Sequence, residues 1–173
     1  FMLILKNKAY FFADTTVNLD PTAAQLVDIT ILCANAARRF NLEPKIALVS
    51  YSNFGSVRNK DTEKIREAVE ILQRDYPDLI VDGEMQADTA VTPEIAAADF
   101  PFSKIQGDAN CLIFPKLEAG NAAYKLIQRL GNAEVFGPML AGLKKPVHVL
   151  HRGQDVEDIV NMAAIAVVEA NGS

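Results

Sequence analysis

The chain has no tryptophan, only two histidines and only two cysteines, and these scarcities exclude several classes of function at once. Cys33 and Cys111 sit in apolar surroundings, without the paired spacing of a zinc site or the density of a disulfide framework. A reducing cytoplasm fits such usage. His148 and His151 lie three apart at the end of a strand-like run, with no third ligand near them in sequence, so no metal site is assigned. No stretch approaches the roughly 20 apolar residues of a membrane span. The opening Phe1-Met2-Leu3-Ile4-Leu5 lacks the basic flank and cleavage site of a signal peptide and reads as a strand met in mid-sequence, with a longer parent chain expected upstream. The 17 Lys and Arg form no run, and with a net charge of −5 nothing steers the protein toward nucleic acid or an anionic membrane. Neither a G-x-G-x-x-G nor a P-loop occurs, so no dinucleotide or nucleoside-triphosphate site can be argued.

What is present is an ordinary globular composition, 50% hydrophobic and 23% charged over 173 residues, enough for one well-cored domain. Met2–Leu5 and Ala9–Ala13 are β-prone runs around Lys6-Asn7-Lys8 and read as a hairpin. A helix is expected over residues 22–40, with Asp20 as its cap and Pro21 in its first turn. Then come a strand at Lys45–Ser50, a helix at Asp61–Asp75 and a short strand at Leu79–Val81. Beyond these lie a helical stretch at Pro93–Ala98, a strand at Cys111–Phe114, a helix at Leu117–Leu130, a strand at Pro146–Leu150 and a last helix at Asp155–Ala170. Strands alternating with helices predict a doubly wound α/β fold with a mostly parallel sheet. The unbroken apolar runs at 45–50 and 111–114 suit central strands, with the hairpin toward an edge or interface. The last helix is apolar around its circumference and is expected to be buried on more than one side.

Three segments could carry chemistry, and each has an ordinary structural alternative. In Ser50-Tyr51-Ser52-Asn53-Phe54-Gly55-Ser56, the hydroxyls of Ser50, Ser52 and Ser56, a glycine and a helix start could cradle a phosphate. The same residues could form a capped βα turn. Asp82, Glu84 and Asp88 could do acid–base work or hold a cation, or could form a turn and an acidic helix start. His151-Arg152-Gly153, followed by Asp155, Glu157 and Asp158, could place a phosphate-binding guanidinium beside a carboxylate base. Alternatively Asp155 caps a helix and the other acids fill its first turn.

Together, Phe12–Asn18, Ser50–Ser56, Asp82–Asp88, Ala109–Pro115, Asn121–Leu126, Gly137–Leu140, Arg152-Gly153 and Glu157–Asn161 resemble, in order, the phosphate acetyl/butyryl-transferase family. The wording of 50–56 and of 160–166 resembles one branch, the C-terminal domain of bacterial NADP-dependent malic enzymes. The resemblance implies a fold like isocitrate and isopropylmalate dehydrogenases, truncated at its N-terminus. Residues 1–150 would be the second subdomain and 151–173 a helix returning to a missing first one. In the family an Arg matching Arg152 binds phosphate, and an Asp matching Asp158 deprotonates the CoA thiol. His151 stands where the family places a transition-state serine. Lys125 falls where the family has a lysine near the CoA cleft. On this basis the expected role is regulatory: acetyl-CoA binds as an allosteric effector without turnover, and NADP and a divalent metal belong to a malic-enzyme parent domain. The alternatives are a working phosphate acetyltransferase or butyryltransferase, and a dimerisation module with a vestigial cleft. The partners implied are acyl-CoA, the parent domain and a second copy in a homodimer or higher oligomer.

Overall fold

A computed structural model describes residues 1–150 and 152–171. Its sheet grows from the hairpin β1 (Met2–Leu5) and β2 (Lys8–Ala13). Lys6 and Asn7 both take positive φ between the two strands, as a two-residue turn matched to strand twist requires. Helix α1 (Ala23–Arg39) follows. Its cap is Thr22, not the expected Asp20: the Thr22 hydroxyl accepts from the Gln25 amide while the Gln25 side chain accepts from the Thr22 amide. Asp20 instead pairs with Lys64. Next come β3 (Lys45–Val49), α2 (Lys60–Asp75, capped by Asn59) and β4 (Ile80–Met85). The short α3 (Ala87–Val91) and α4 (Pro93–Asp99) lead to β5 (Cys111–Ile113) and α5 (Leu117–Leu130).

The strand order is β4-β3-β5-β2-β1-β6, where β6 is Glu134–Phe136. Strands β4, β3, β5 and β2 pair in parallel, while β1 pairs antiparallel with both neighbours. The mixed α/β architecture with a mostly parallel sheet is therefore as expected, and β3 and β5 lie inside it. Alternation along the strands divides the core. Ile46, Leu48, Val81, Cys111 and Ile113 meet α1 and α2 on one face. Ala47, Val49, Met85, Leu112 and Phe114 meet α3 and α5 on the other.

The hairpin lies toward one edge of the sheet, as expected, with β6 added outside β1; one exposed and two half-buried residues gave that outermost strand no apolar run to read. Three expectations need correction. The strand expected at 79–81 runs to Met85, because Asp82 and the Oε1 of Glu84 find hydrogen-bond donors inside the fold. The segment 146–150 contributes only β8 (Val147–His148), paired with β7 (Met139–Leu140) in a separate ribbon. Finally, α6 (Val156–Asn171) turns one stripe inward, Met162, Ile165 and Glu169, while Val156, Val160 and Val167 are exposed. Among the described residues no second element lies against that other face.

Candidate functional site

Parallel strands end at a common edge, and ligands of open α/β sheets gather there, where helices depart to opposite faces. Adjacent β2 and β5 have that arrangement: α1 leaves to one face and α5 to the other. The loop after β2 is held by Asp14. Its Oδ1 accepts from the amides of Thr16 (2.7 Å) and Val17 (3.1 Å), and its Oδ2 from the Asn18 amide and side chain (both 2.7 Å). Burial works to raise the Asp14 pKa, but the hydrogen bonds from Thr16, Asn18 and Val17 outweigh it and hold the carboxyl below its usual range. The Asn121 side chain donates to Thr15 O, and Gly120 lets α5 approach so closely that a Cβ there would stand 2.5 Å from Asp14 O. A cleft of about 190 Å³ opens against this loop, walled by Phe11, Cys33, Met139 and Glu169 among others.

The loop after β3 contains the three candidate serines, and its organiser is a residue read above as an ambiguous acid. Glu84 is fully buried on β4, and its Oε1 accepts from Ser52 Oγ (2.8 Å) and from the Gly55 amide (2.8 Å). Arg66 Nε stands 3.9 Å from Oε2. Ser52 is buried and committed to this contact, Ser56 Oγ accepts from the Asn53 amide, and Ser50 Oγ accepts from the Ser52 amide. Asp82, on the same strand, accepts from Ser103 Oγ and the Lys104 amide. Thus Asp82 and Glu84 form neither a turn nor a helix start, but anchor loops from inside a strand. Only Asp88 enters a helix, in the first turn of α3. The sequence signal for such anchoring was two acids alternating with small or apolar residues, a period-2 pattern running on from 79–81.

The third segment divides. His151 lies outside the described residues. Arg152 is exposed ahead of α6. Asp158 shares a reciprocal cap with Asp155, its amide donating to Asp155 Oδ1 at 2.9 Å and its Oδ2 accepting from the Asp155 amide at 3.3 Å. It also lines a cleft of about 330 Å³ with Gln128, Glu134, Phe136, Asp155, Glu157 and Asn161. That lining is acidic, and a phosphate there would need a cation from beyond it. Lys125 is exposed on α5, 5.9 Å from the ring of Tyr124, which itself stacks on Phe1. The serine loop and the Asp158 cleft are not brought together, since β3 and β6 are separated by β5, β2 and β1. At about 4.8 Å per strand the separation across the sheet is roughly 19 Å. His148 Nε2 lies 3.1 Å from Glu169 Oε2, whose other oxygen is 3.6 Å from Arg39. Among the described residues, no group of three His, Cys, Asp or Glu could hold a metal ion.

Comparison with known proteins bears on this arrangement. Residues 1–167 match the family model described as phosphate acetyl/butaryl transferase. The phosphate acetyltransferase of Bacillus subtilis is 44% identical over 170 residues, covering 98% of this chain and 53% of that protein. That of Clostridium acetobutylicum is 47% identical over 160 residues, 92% of this chain and 48% of its own. A solved phosphotransacetylase from Streptococcus pyogenes superimposes with a TM-score of 0.93 at 44% identity, over 99% of this chain and 54% of that one. The chain spans about half the length of these three relatives. These names overturn the malic-enzyme reading, and the regulatory, oxidoreductase and NADP expectations fall with it. Part of the wording behind that reading, 50–56, is occupied with anchoring to Glu84, so it reports loop construction. The chain belongs to the phosphate acetyl/butyryl-transferase family.

Proposed function

We propose that the protein carrying this chain transfers an acetyl or butyryl group between CoA and phosphate in the cytoplasm, and that this chain supplies one half of the site. The family match over residues 1–167 carries the reading. In it, residues 1–150 form the second subdomain of an isocitrate/isopropylmalate dehydrogenase-like fold, and α6 returns toward the first. The open apolar face of α6 (Val160 and Val167) is then covered by the rest of the protein, and the assembly is at least a homodimer. Asp158 takes the proton of the CoA thiol. The thiolate sulfur attacks the carbonyl carbon of the acyl phosphate, a C–S bond forms, the bond from that carbon to the bridging oxygen breaks, and inorganic phosphate departs with that oxygen, held by Arg152. The acidity of the Asp158 cleft suits a proton acceptor better than a phosphate site, which assigns anion binding to Arg152 and to cations beyond this chain. Lys125 and the loop of Ser50, Ser52 and Ser56 contact other parts of CoA, an extended molecule whose contacts need not share one cleft. With Ser52 buried on Glu84, that loop offers its backbone and the hydroxyls of Ser50 and Ser56.

The test is formation of acetyl phosphate and free CoA from acetyl-CoA and phosphate by the full-length natural protein. Arg152→Ala is expected to raise the KM for phosphate by roughly 10- to 150-fold, the loss of one charged hydrogen-bonded contact. Asp158→Asn is expected to lower kcat by about 10²–10⁴-fold, the usual worth of a positioned general base. A wild-type protein that makes no acyl phosphate refutes the reading, and unchanged kinetics in either variant removes that residue from the site.

A further inference from the structure

On the face of the sheet opposite α1 and α2 lies a trough that the acyl-transfer reading does not use. Its floor is built by alternation: Leu3 and Leu5 on β1, Tyr10 and Phe12 on β2, and Leu112 and Phe114 running from β5. Its walls are Ala87 and Val91 of α3 and Ala123 and Ile127 of α5, each pair four residues apart on one helical face. The void measures about 330 Å³, within the range of small-molecule sites. Lys6 and Lys8 stand at one end, where the hairpin turns. No carboxylate is among the lining residues, and neither lysine has an ion pair or side-chain hydrogen bond among the described residues. An apolar trough with two uncompensated cations at one end and no acid along it is complementary to an amphiphilic anion.

We infer that this trough binds a medium-chain carboxylate, its hydrocarbon tail lying along Tyr10, Phe12 and Leu112 and its carboxylate between Lys6 and Lys8. From Lys8 to Phe12 the strand advances roughly 13 Å at about 3.3 Å per residue, a length for a tail of roughly eight to ten carbons. The inference does not depend on the acyl-transfer reading, because neither Arg152 nor Asp158 lines the trough.

The experiment is calorimetric titration of the full-length natural protein with hexanoate, octanoate, decanoate and octan-1-ol. Each added methylene is expected to tighten carboxylate binding about fourfold, equivalent to about 0.8 kcal/mol. Lys6→Ala combined with Lys8→Ala is expected to weaken octanoate about tenfold and leave octan-1-ol unchanged, as two partly screened contacts at a solvent-facing rim would. Ala123→Phe, which fills the trough, is expected to abolish binding of both. Thermal unfolding confirms that each variant is folded, and the lysine pair lies at an exposed turn where substitution leaves the core intact. Octanoate binding that ignores both lysines overturns the inference, as does octan-1-ol binding as tightly as octanoate. No binding up to the solubility limit of the probes also overturns it, whether the trough is then closed by a second copy or by the remainder of the protein. A result of that kind leaves acyl transfer untouched, since acetyl phosphate formation is measured separately.

Discussion

Replacing Glu84 tests whether one buried carboxylate builds the loop of residues 50–59. Its Oε1 receives two hydrogen bonds of 2.8 Å, from Ser52 Oγ and from the Gly55 amide, and its side chain has no exposure to solvent. Glu84→Ala removes both acceptor contacts. The Gly55 amide then has no alternative acceptor in the loop, while Ser52 can turn to Ser56 Oγ at 3.1 Å or Val57 O at 3.4 Å. Gly55 is half-buried and Ser52 buried, and a donor left there without its acceptor costs about 1–3 kcal/mol, to which the vacated side-chain volume adds. The expected loss is therefore about 3 kcal/mol. For a chain of this size that lowers Tm by about 6–12 °C. Glu84→Gln keeps an acceptor at the Oε1 position and should cost about 1 kcal/mol. Urea unfolding at neutral pH gives both values. Hydrogen exchange should show protection lost first at the amides of 52–57, before the core of β3. A loss under about 1 kcal/mol for the alanine variant would refute the reasoning. Equal losses for the two variants would also refute it, since the charge facing Arg66, at 3.9 Å, would then do the holding instead of the two bonds to Oε1.

Asp14 gives a pH-dependent counterpart. Its folded pKa is depressed below the unfolded value of about 3.9, so its contribution is fully present above that value and is lost as pH falls through the folded pKa. Asp14→Ala should thus cost about 1–3 kcal/mol between pH 5 and pH 7, with the gap from wild type closing below about pH 4 in urea unfolding at stepped pH. A gap that widens with acid contradicts the assignment. The buried thiols should be inert in the native state: a hydrogen bond with Cys33, then burial, push the Cys111 thiol well above its usual range. Iodoacetamide at about pH 8 should label both cysteines only after denaturation, read by mass spectrometry; rapid native labelling of Cys111 would show that the core is open there.

Much of the fold was legible because local periodicity and burial coincide. The continuous apolar runs at 45–50 and 111–114 marked strands buried on both faces, and Leu117–Leu130 is the helix that its spacing predicts. The strands at 134–136 and 139–140 were not, because edge and ribbon pairing is satisfied by backbone bonds to β1 and β8 and leaves little trace in side chains. The candidate site was legible as segments and not as geometry. Ser52, Glu84 and Asp158 were all singled out, yet the pairing of Ser52 with Glu84 spans 32 residues and no pattern within either segment contains it.

The sequence alone therefore determined the alternation of strands and helices, the parallel-rich sheet and the family. These follow from period, propensity and ordered motifs that a linear reading contains. Only the tertiary structure decided what the acids at 82 and 84 are for, because a carboxylate that could be a base, a ligand or an anchor is told apart by what lies within hydrogen-bond reach. It also decided that Asp158 and the serine loop stand four strands apart along the sheet, since strand order fixes lateral distance and chain order does not. And it alone brought Lys6 and Lys8 to the end of an apolar trough assembled from five separate elements, whose side chains face one another only once the sheet is formed.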